Sequence, residues 1–145
     1  MSEFSKSTVT IEAPIADIQK TLSELDKYPE WSTQIKSAES LETDGQGRIT
    51  KIKMSIDAGM MKDRVVLDYD WSQAPEKIIF SLEEADLLTS MDGAYTFKSI
   101  DSESTEVTYE LGVSLSMSIP EMMRKKAEKA TIDAALTQLK SHLEG

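Results

Sequence analysis

The chain has 145 residues, with 16 Lys and Arg against 26 Asp and Glu, a formal net charge of −10. That length suits one domain, residues 1–145, with a full core of its own, and 39% hydrophobic with 29% charged residues excludes a disordered chain. The acidity argues against a nucleic-acid binder, whose affinity comes largely from Lys and Arg on phosphates, and the lack of cysteine removes disulfides, thiolate nucleophiles and cysteine zinc sites together.

The first residues, Met-Ser-Glu-Phe-Ser-Lys-Ser, lack the pattern of a signal peptide. No stretch approaches the ~20 apolar residues of a membrane span, so the expected setting is the cytoplasm. Residues 4–12 are β-branched and alternating, and Ala13-Pro14 ends them, with Pro14 well placed to open a helix. Ile15, Ile18, Leu22 and Leu25 then recur at three and four, the period of one buried helical face. Pro29, in Tyr28-Pro29-Glu30-Trp31, breaks that helix, and a second short helical turn runs toward Ile35.

From Lys36 to Ser118 the pattern is that of antiparallel strands. Residues 36–43 lead to a hairpin turn at Asp44-Gly45-Gln46-Gly47, which is too short for a phosphate loop and lacks the Lys-Ser/Thr that would follow one. Ile52, Met54 and Ile56 alternate with Lys51, Lys53 and Ser55; Val65, Leu67, Tyr69 and Trp71 alternate with Asp68 and Asp70. Ile78, Phe80 and Leu82 follow, then Met91, Gly93, Tyr95 and Phe97, then Val107 through Met117 at the same spacing. Consecutive alternating strands argue a meander with one buried face. Pro120 opens a last helix to about Leu143, on the order of 36 Å long at 1.5 Å per residue. Its expected apolar side combines Met123, Ala127, Ala130 and Ala134 with Ile132, Leu136, Leu139 and Leu143.

The order is therefore strand, two short helices, six strands and a long helix, an α+β arrangement in which a coiled antiparallel sheet of about seven strands can wrap the terminal helix. Val9-Thr10-Ile11-Glu12-Ala13-Pro14, Tyr28-Pro29-Glu30-Trp31, Met91-Asp92-Gly93-Ala94-Tyr95-Thr96-Phe97 and Thr105-Glu106-Val107-Thr108-Tyr109, with the Pro-led helix, resemble the helix-grip fold of the START-like, or SRPBCC, superfamily. Within it the chain is most similar to bacterial polyketide cyclase/dehydrase-like and coenzyme-Q-binding-like proteins. The resemblance spans nearly the whole chain and implies a cavity between sheet and terminal helix, entered near that helix's first half. It implies a fold more sharply than an activity, since one fold hosts many functions.

If one sheet face points inward, the strands supply Ile56, Val65, Leu67, Tyr69 and Trp71, then Phe80, Leu82 and Met91, then Tyr95, Tyr109, Leu111 and Val113. The helix closes the space with Met123, Ala127, Ala130 and Thr131. Methionines at 54, 60, 61, 91, 117, 122 and 123 can repack around varied guests. Periodicity by itself favours a solid core from the same residues; the resemblance favours a cavity.

The one histidine, His142, lies at the end of the last helix and reads as a surface residue, which removes Ser-His-Asp and two-His metal arrangements. Asp68, Asp70, Glu83, Glu84 and Asp86 read as solvated strand face and loop rather than a metal site, so no metal or cofactor is expected. Tyr69, Tyr95 and Tyr109 are the candidates for chemistry, because a buried phenol needs a partner and can polarise a ligand carbonyl. Arg64 reads as an ion pair with Asp63 or Glu83, or as a carboxylate binder near the entrance. Asp92 points outward on a regular strand and inward only at a bulge. Arg124, Lys125, Lys126 and Lys129 form either an ordinary helix flank with Glu121 and Glu128 or a contact for an anionic head group or membrane surface. Tyr28 and Trp31 anchor the short helices, in a segment that lies near the ligand in coenzyme-Q-binding relatives.

The expected function is binding or transport of a small hydrophobic ligand such as a lipid, quinone, polyketide or flavonoid. The competing readings are an aromatase/cyclase acting on a poly-β-ketone chain and a toxin-like or ribosome-associated interaction protein of the same superfamily.

Overall fold

The computed structural model describes residues 4–57, 62–115 and 118–144. Strand β1 (Ser5–Ile11) is followed by helix α1 (Ile15–Ser23), a 3-10 helix (Leu25–Glu30) and strands β2 (Ile35–Thr43), β3 (Ile49–Asp57) and β4 (Lys62–Asp70). Strands β5 (Lys77–Ala85), β6 (Leu88–Asp101) and β7 (Ser104–Leu115) complete the sheet, and helix α2 (Glu121–Glu144) closes the chain. The sequence-derived order of elements stands. Met60, Met61 and Met117, expected to pack around a guest, lie outside the described residues.

All seven strands form one curved antiparallel sheet in the order β1-β7-β6-β5-β4-β3-β2. Alternation puts Ile52 and Met54, Val65 and Leu67, Ile78 and Phe80, and Tyr109 and Leu111 into the core. The opposite face is wet and charged. Lys51 there meets Glu83 at 2.7 Å, Glu42 at 3.1 Å and Asp68 at 3.9 Å, one ammonium spanning neighbouring strands. Its hydrogen bonds to Glu83 and then Glu42 raise its pKa. The turn between β2 and β3 forms as the sequence indicates. Asp44 Oδ1 accepts the N–H groups of Gln46 and Arg48 at 2.8 and 3.0 Å, bonds that lower its pKa, and Gly47 takes the left-handed φ of 85°.

Helix α1 starts at Pro14, whose carbonyl accepts the Asp17 and Ile18 N–H groups, and buries Ile18 and Leu22. The 3-10 helix is stapled to it by the Tyr28 hydroxyl, which donates to the Leu22 carbonyl at 2.6 Å.

Helix α2 buries Ile132, Leu136 and Leu139 as expected, with Leu143 packed against the core, and departs from the sequence reading in its first half. Its inward residues are Glu128, Thr131, Ile132, Ala135, Leu136 and Leu139, at three and four spacing. Met123 is 45% exposed, Ala130 is exposed and Ala127 is half-buried. The physical reason is at the sheet edge. Among the described residues the pairing between β1 and β7 begins at Ser5 and Leu111, and the N–H of Val113, two residues further along β7, donates to the Glu128 carboxylate. Ser5 Oγ donates to the same carboxylate at 2.7 Å and Arg124 at 2.8 Å. Further along, Lys129 and Lys140 donate to the β1 carbonyls of Lys6 and Thr10 at 3.0 and 2.8 Å.

Candidate functional site

Between the sheet and α2 lies a void of about 50 Å³. Its walls are strongly aromatic: Tyr69, Phe80, Tyr95 and Tyr109 from the sheet, Tyr28 and Trp31 from the short helical segment. Met54, Ile56, Leu67 and Met91 supply the aliphatic sides. Thr131 and Ala135 form the part contributed by α2, and Ser32, Gln34 and Ile35 close the end beside β2. No charged side chain is among the described lining residues.

The chain has four tyrosines, and all four line this void. Tyr95 and Tyr109, directly opposite on β6 and β7, stack with ring centroids 4.2 Å apart and planes 16° apart. Tyr69 stacks on Phe80 at 5.4 Å, and Phe80 meets Tyr109 at 6.4 Å. Phe80 in turn faces Gly93 on the adjacent strand, and a Cβ there would lie 2.3 Å from its Cζ. The Tyr28 phenol interacts with that of Tyr69, and Tyr95 with Tyr109. Burial is the leading cause that holds all four hydroxyls well above the usual phenol range. They are therefore neutral at physiological pH and unable to serve as ionised bases; the Tyr28 proton is already committed to the Leu22 carbonyl.

Eight of the positions expected from sequence border the void: Ile56, Leu67, Tyr69 and Phe80, then Met91, Tyr95, Tyr109 and Thr131. The other eight do not. Val65, Leu111 and Val113 have the inward parity but pack in the solid part of the core, and Leu82 packs against it half-buried. Trp71 lies just past the end of β4, where its indole N–H donates to the Ile49 carbonyl at 2.8 Å and Arg48 sits 5.7 Å from its ring. Met123, Ala127 and Ala130 are turned away with the face of α2 described above. Tyr28 and Trp31, which the sequence placed as anchors, also line the void, as do Met54, Ser32, Gln34, Ile35 and Ala135.

Arg64 pairs with Asp86 at 3.4 Å rather than with Asp63 or Glu83. Asp63 is occupied elsewhere, accepting the N–H groups of Arg64, Asp86, Leu87 and Leu88 at 2.8–3.0 Å. Asp92 is exposed on a regular stretch of β6, with no bulge at that position. His142 is exposed and stacks on Trp31 with centroids 6.5 Å apart. Of the basic group on α2, Arg124 is held by Glu128, Lys125 pairs with Glu121 at 3.4 Å, and Lys129 is bonded to Lys6 and Ser7 of β1. Lys126 is exposed. No group of metal-ligating side chains occurs among the described residues, and none of their helices is long and apolar enough to cross a membrane.

An antiparallel sheet curved over one long helix, with an aromatic and uncharged void between them, defines a helix-grip cavity protein. Residues 11–140 match the sequence model of the family described as polyketide cyclase / dehydrase and lipid transport, and the chain belongs to that family. Among solved structures, a START superfamily protein from Mycobacterium smegmatis is 20% identical, with 99% of this chain and 98% of that chain covered at a TM-score of 0.93. The Zhui aromatase/cyclase from Streptomyces sp. R1128 is 16% identical over 97% of this chain and 94% of its own, with a TM-score of 0.76. A di-domain aromatase/cyclase, BexL, from the BE-7585A biosynthetic pathway is 14% identical and matches 99% of this chain with 47% of its length at 0.79. At these identities the likeness establishes the fold. A search of curated proteins returns no match.

Proposed function

We propose that the protein binds and carries a small hydrophobic molecule in the space between sheet and α2, acting in the cytoplasm without a cofactor. One observation carries this reading: all four tyrosines of the chain border one internal, uncharged void. Apolar walls supply the driving force and a few convergent hydroxyls supply orientation, the usual division of labour in a small-molecule pocket. The void of about 50 Å³ is far below the roughly 300–1,000 Å³ of such pockets. A guest therefore enlarges it on entry, and the thioether side chains of Met54 and Met91 in its wall are suited to that repacking. Contact with a membrane during delivery would rest on Met122, 82% exposed, and Lys126, because Arg124 and Lys129 are bound within the protein.

Carriage is preferred to catalysis because none of the described lining residues is a carboxylate, imidazole or amine that could move a proton. The phenols favour one second reading. An aromatase/cyclase acting on a poly-β-ketone chain could use Tyr69, Tyr95 and Tyr109 as neutral donors to successive carbonyls, with the walls enforcing the folded shape.

Native mass spectrometry of the purified protein, followed by identification of any co-purifying compound and NMR titration with it, tests the reading. A bound neutral hydrophobic molecule whose affinity falls about 2- to 10-fold in Tyr95→Phe or Tyr109→Phe is the expected result. No retained compound, and no response to a panel of lipids, quinones and flavonoids, would defeat it. Turnover of a poly-β-ketone substrate that is lost in those variants would move the assignment to the cyclase.

A further inference from the structure

Beside the internal void, at the end where β2 and β3 begin to pair, lies a surface groove of about 500 Å³. Ile56 borders both spaces. Its partner across the register is Ile35, which borders the void, and both side chains are half-buried. The next residue on β2, Lys36, already belongs to the groove. A thin apolar partition thus separates an uncharged interior from a polar exterior. The void is too small for a ligand of ordinary size, and the two spaces together fall in the range such ligands occupy.

The groove differs in charge from the interior. Lys36, Lys62 and Arg64 line it with Asp57, Asp63 and Asp86, an even balance in a chain of net charge −10. The carboxylates are largely committed: Asp63 to four backbone N–H groups, Asp86 to Arg64, and Asp57 to Lys62 at 3.9 Å. Lys36 is exposed and pairs with no carboxylate among the described residues. An ionised group taken into the void would lose its hydration without a counter-charge, whereas in the groove it stays wet and meets an available ammonium.

We propose that the ligand site has two compartments divided by Ile35 and Ile56, the void taking a neutral ring system and the groove taking an anionic end near Lys36. This rests on the cavity reading above and narrows it to amphiphiles with one charged terminus. Entry then runs past Ile56 at the β2–β3 end rather than under the first half of α2.

A matched pair of fluorescent probes tests it: 8-anilinonaphthalene-1-sulfonate and N-phenyl-1-naphthylamine share their rings and differ by the sulfonate. The wild-type protein is expected to bind the sulfonate probe about 5-fold or more tightly than the neutral one, with a preference that shrinks as salt is raised. Lys36→Glu, an exposed change that leaves the core intact, should erase the preference without altering the neutral probe's affinity. Ile56→Trp should weaken both probes, while Met123→Trp on α2 should leave both unchanged. Equal affinities in the wild type, or a preference that survives Lys36→Glu, would overturn the two-compartment site while leaving the cavity reading in place. Failure of both probes to bind the wild type would remove both.

Discussion

The carboxylate of Glu128 accepts the backbone N–H of Val113 at 2.8 Å, tying the first half of α2 to β7 two residues past the Ser5–Leu111 pair. Because Glu128 is fully buried and also holds Ser5 and Arg124, removing it takes the acceptor from three donors at once, of which Arg124 alone keeps a second carboxylate, Glu121 at 3.7 Å. Glu128→Ala is expected to destabilise the protein by about 3–5 kcal/mol, the range for breaking a buried ion pair from one side. Glu128→Gln keeps an acceptor and should lose less. Chemical denaturation of the three proteins side by side gives the comparison, and equal stability of wild type and Glu128→Ala would contradict the role.

The tyrosines make a prediction about alkaline pH. Each folded phenol has its pKa raised by burial above the ordinary value near 10. Below that ordinary value both states keep the proton and the stabilisation is complete. As pH rises past about 10 the unfolded chain ionises first, so stability falls with every further step. Absorbance of tyrosinate near 295 nm should therefore stay flat through the range where free tyrosine titrates and then rise together with loss of the fold. Stepwise ionisation with near-ultraviolet circular dichroism preserved would count against it.

The rotation of α2 can be checked by scanning its faces. Leu139, fully buried, should lose about 2–5 kcal/mol on change to Ala. Ala130, exposed, should accept Lys within about 0.5 kcal/mol. If the small-sided face expected from sequence were inward, the second change would be the damaging one.

Removing the Tyr28 hydroxyl tests the staple between the 3-10 helix and α1. Tyr28→Phe leaves the Leu22 carbonyl without its 2.6 Å donor and is expected to lower stability by about 1–3 kcal/mol. Amide exchange should speed in residues 18–31 more than in the sheet. A uniform change across the protein would show that the bond is not a local clamp.

The order of elements was legible because each signal was local: Pro14 and Pro120 mark helix starts, and period-two alternation marks the strands. The three candidate phenols were found by parity alone. Parity says which face a residue takes and not how far along the strand the void lies, so Val65, Leu111 and Val113 were included although they pack elsewhere. Trp71 kept the alternation in sequence after β4 had ended. Trp31 and Gln34 carry no period, and their place at the void depends on how the short helices dock. Glu128 was the least visible. With Arg124 four residues before it, it looks like an ordinary surface pair, and its burial comes with partners on β7 and on β1, where Ser5 is more than one hundred residues away in the chain.

Gly93 lies under the ring of Phe80. Phe80 leans over the place where a side chain of β6 would stand while still meeting Tyr109 and lining the void. Even a methyl group at position 93 would force that ring to shift. One wall of the void is thus set by a residue that does not border it: the carbon atom that Gly93 lacks leaves the place the Phe80 ring fills.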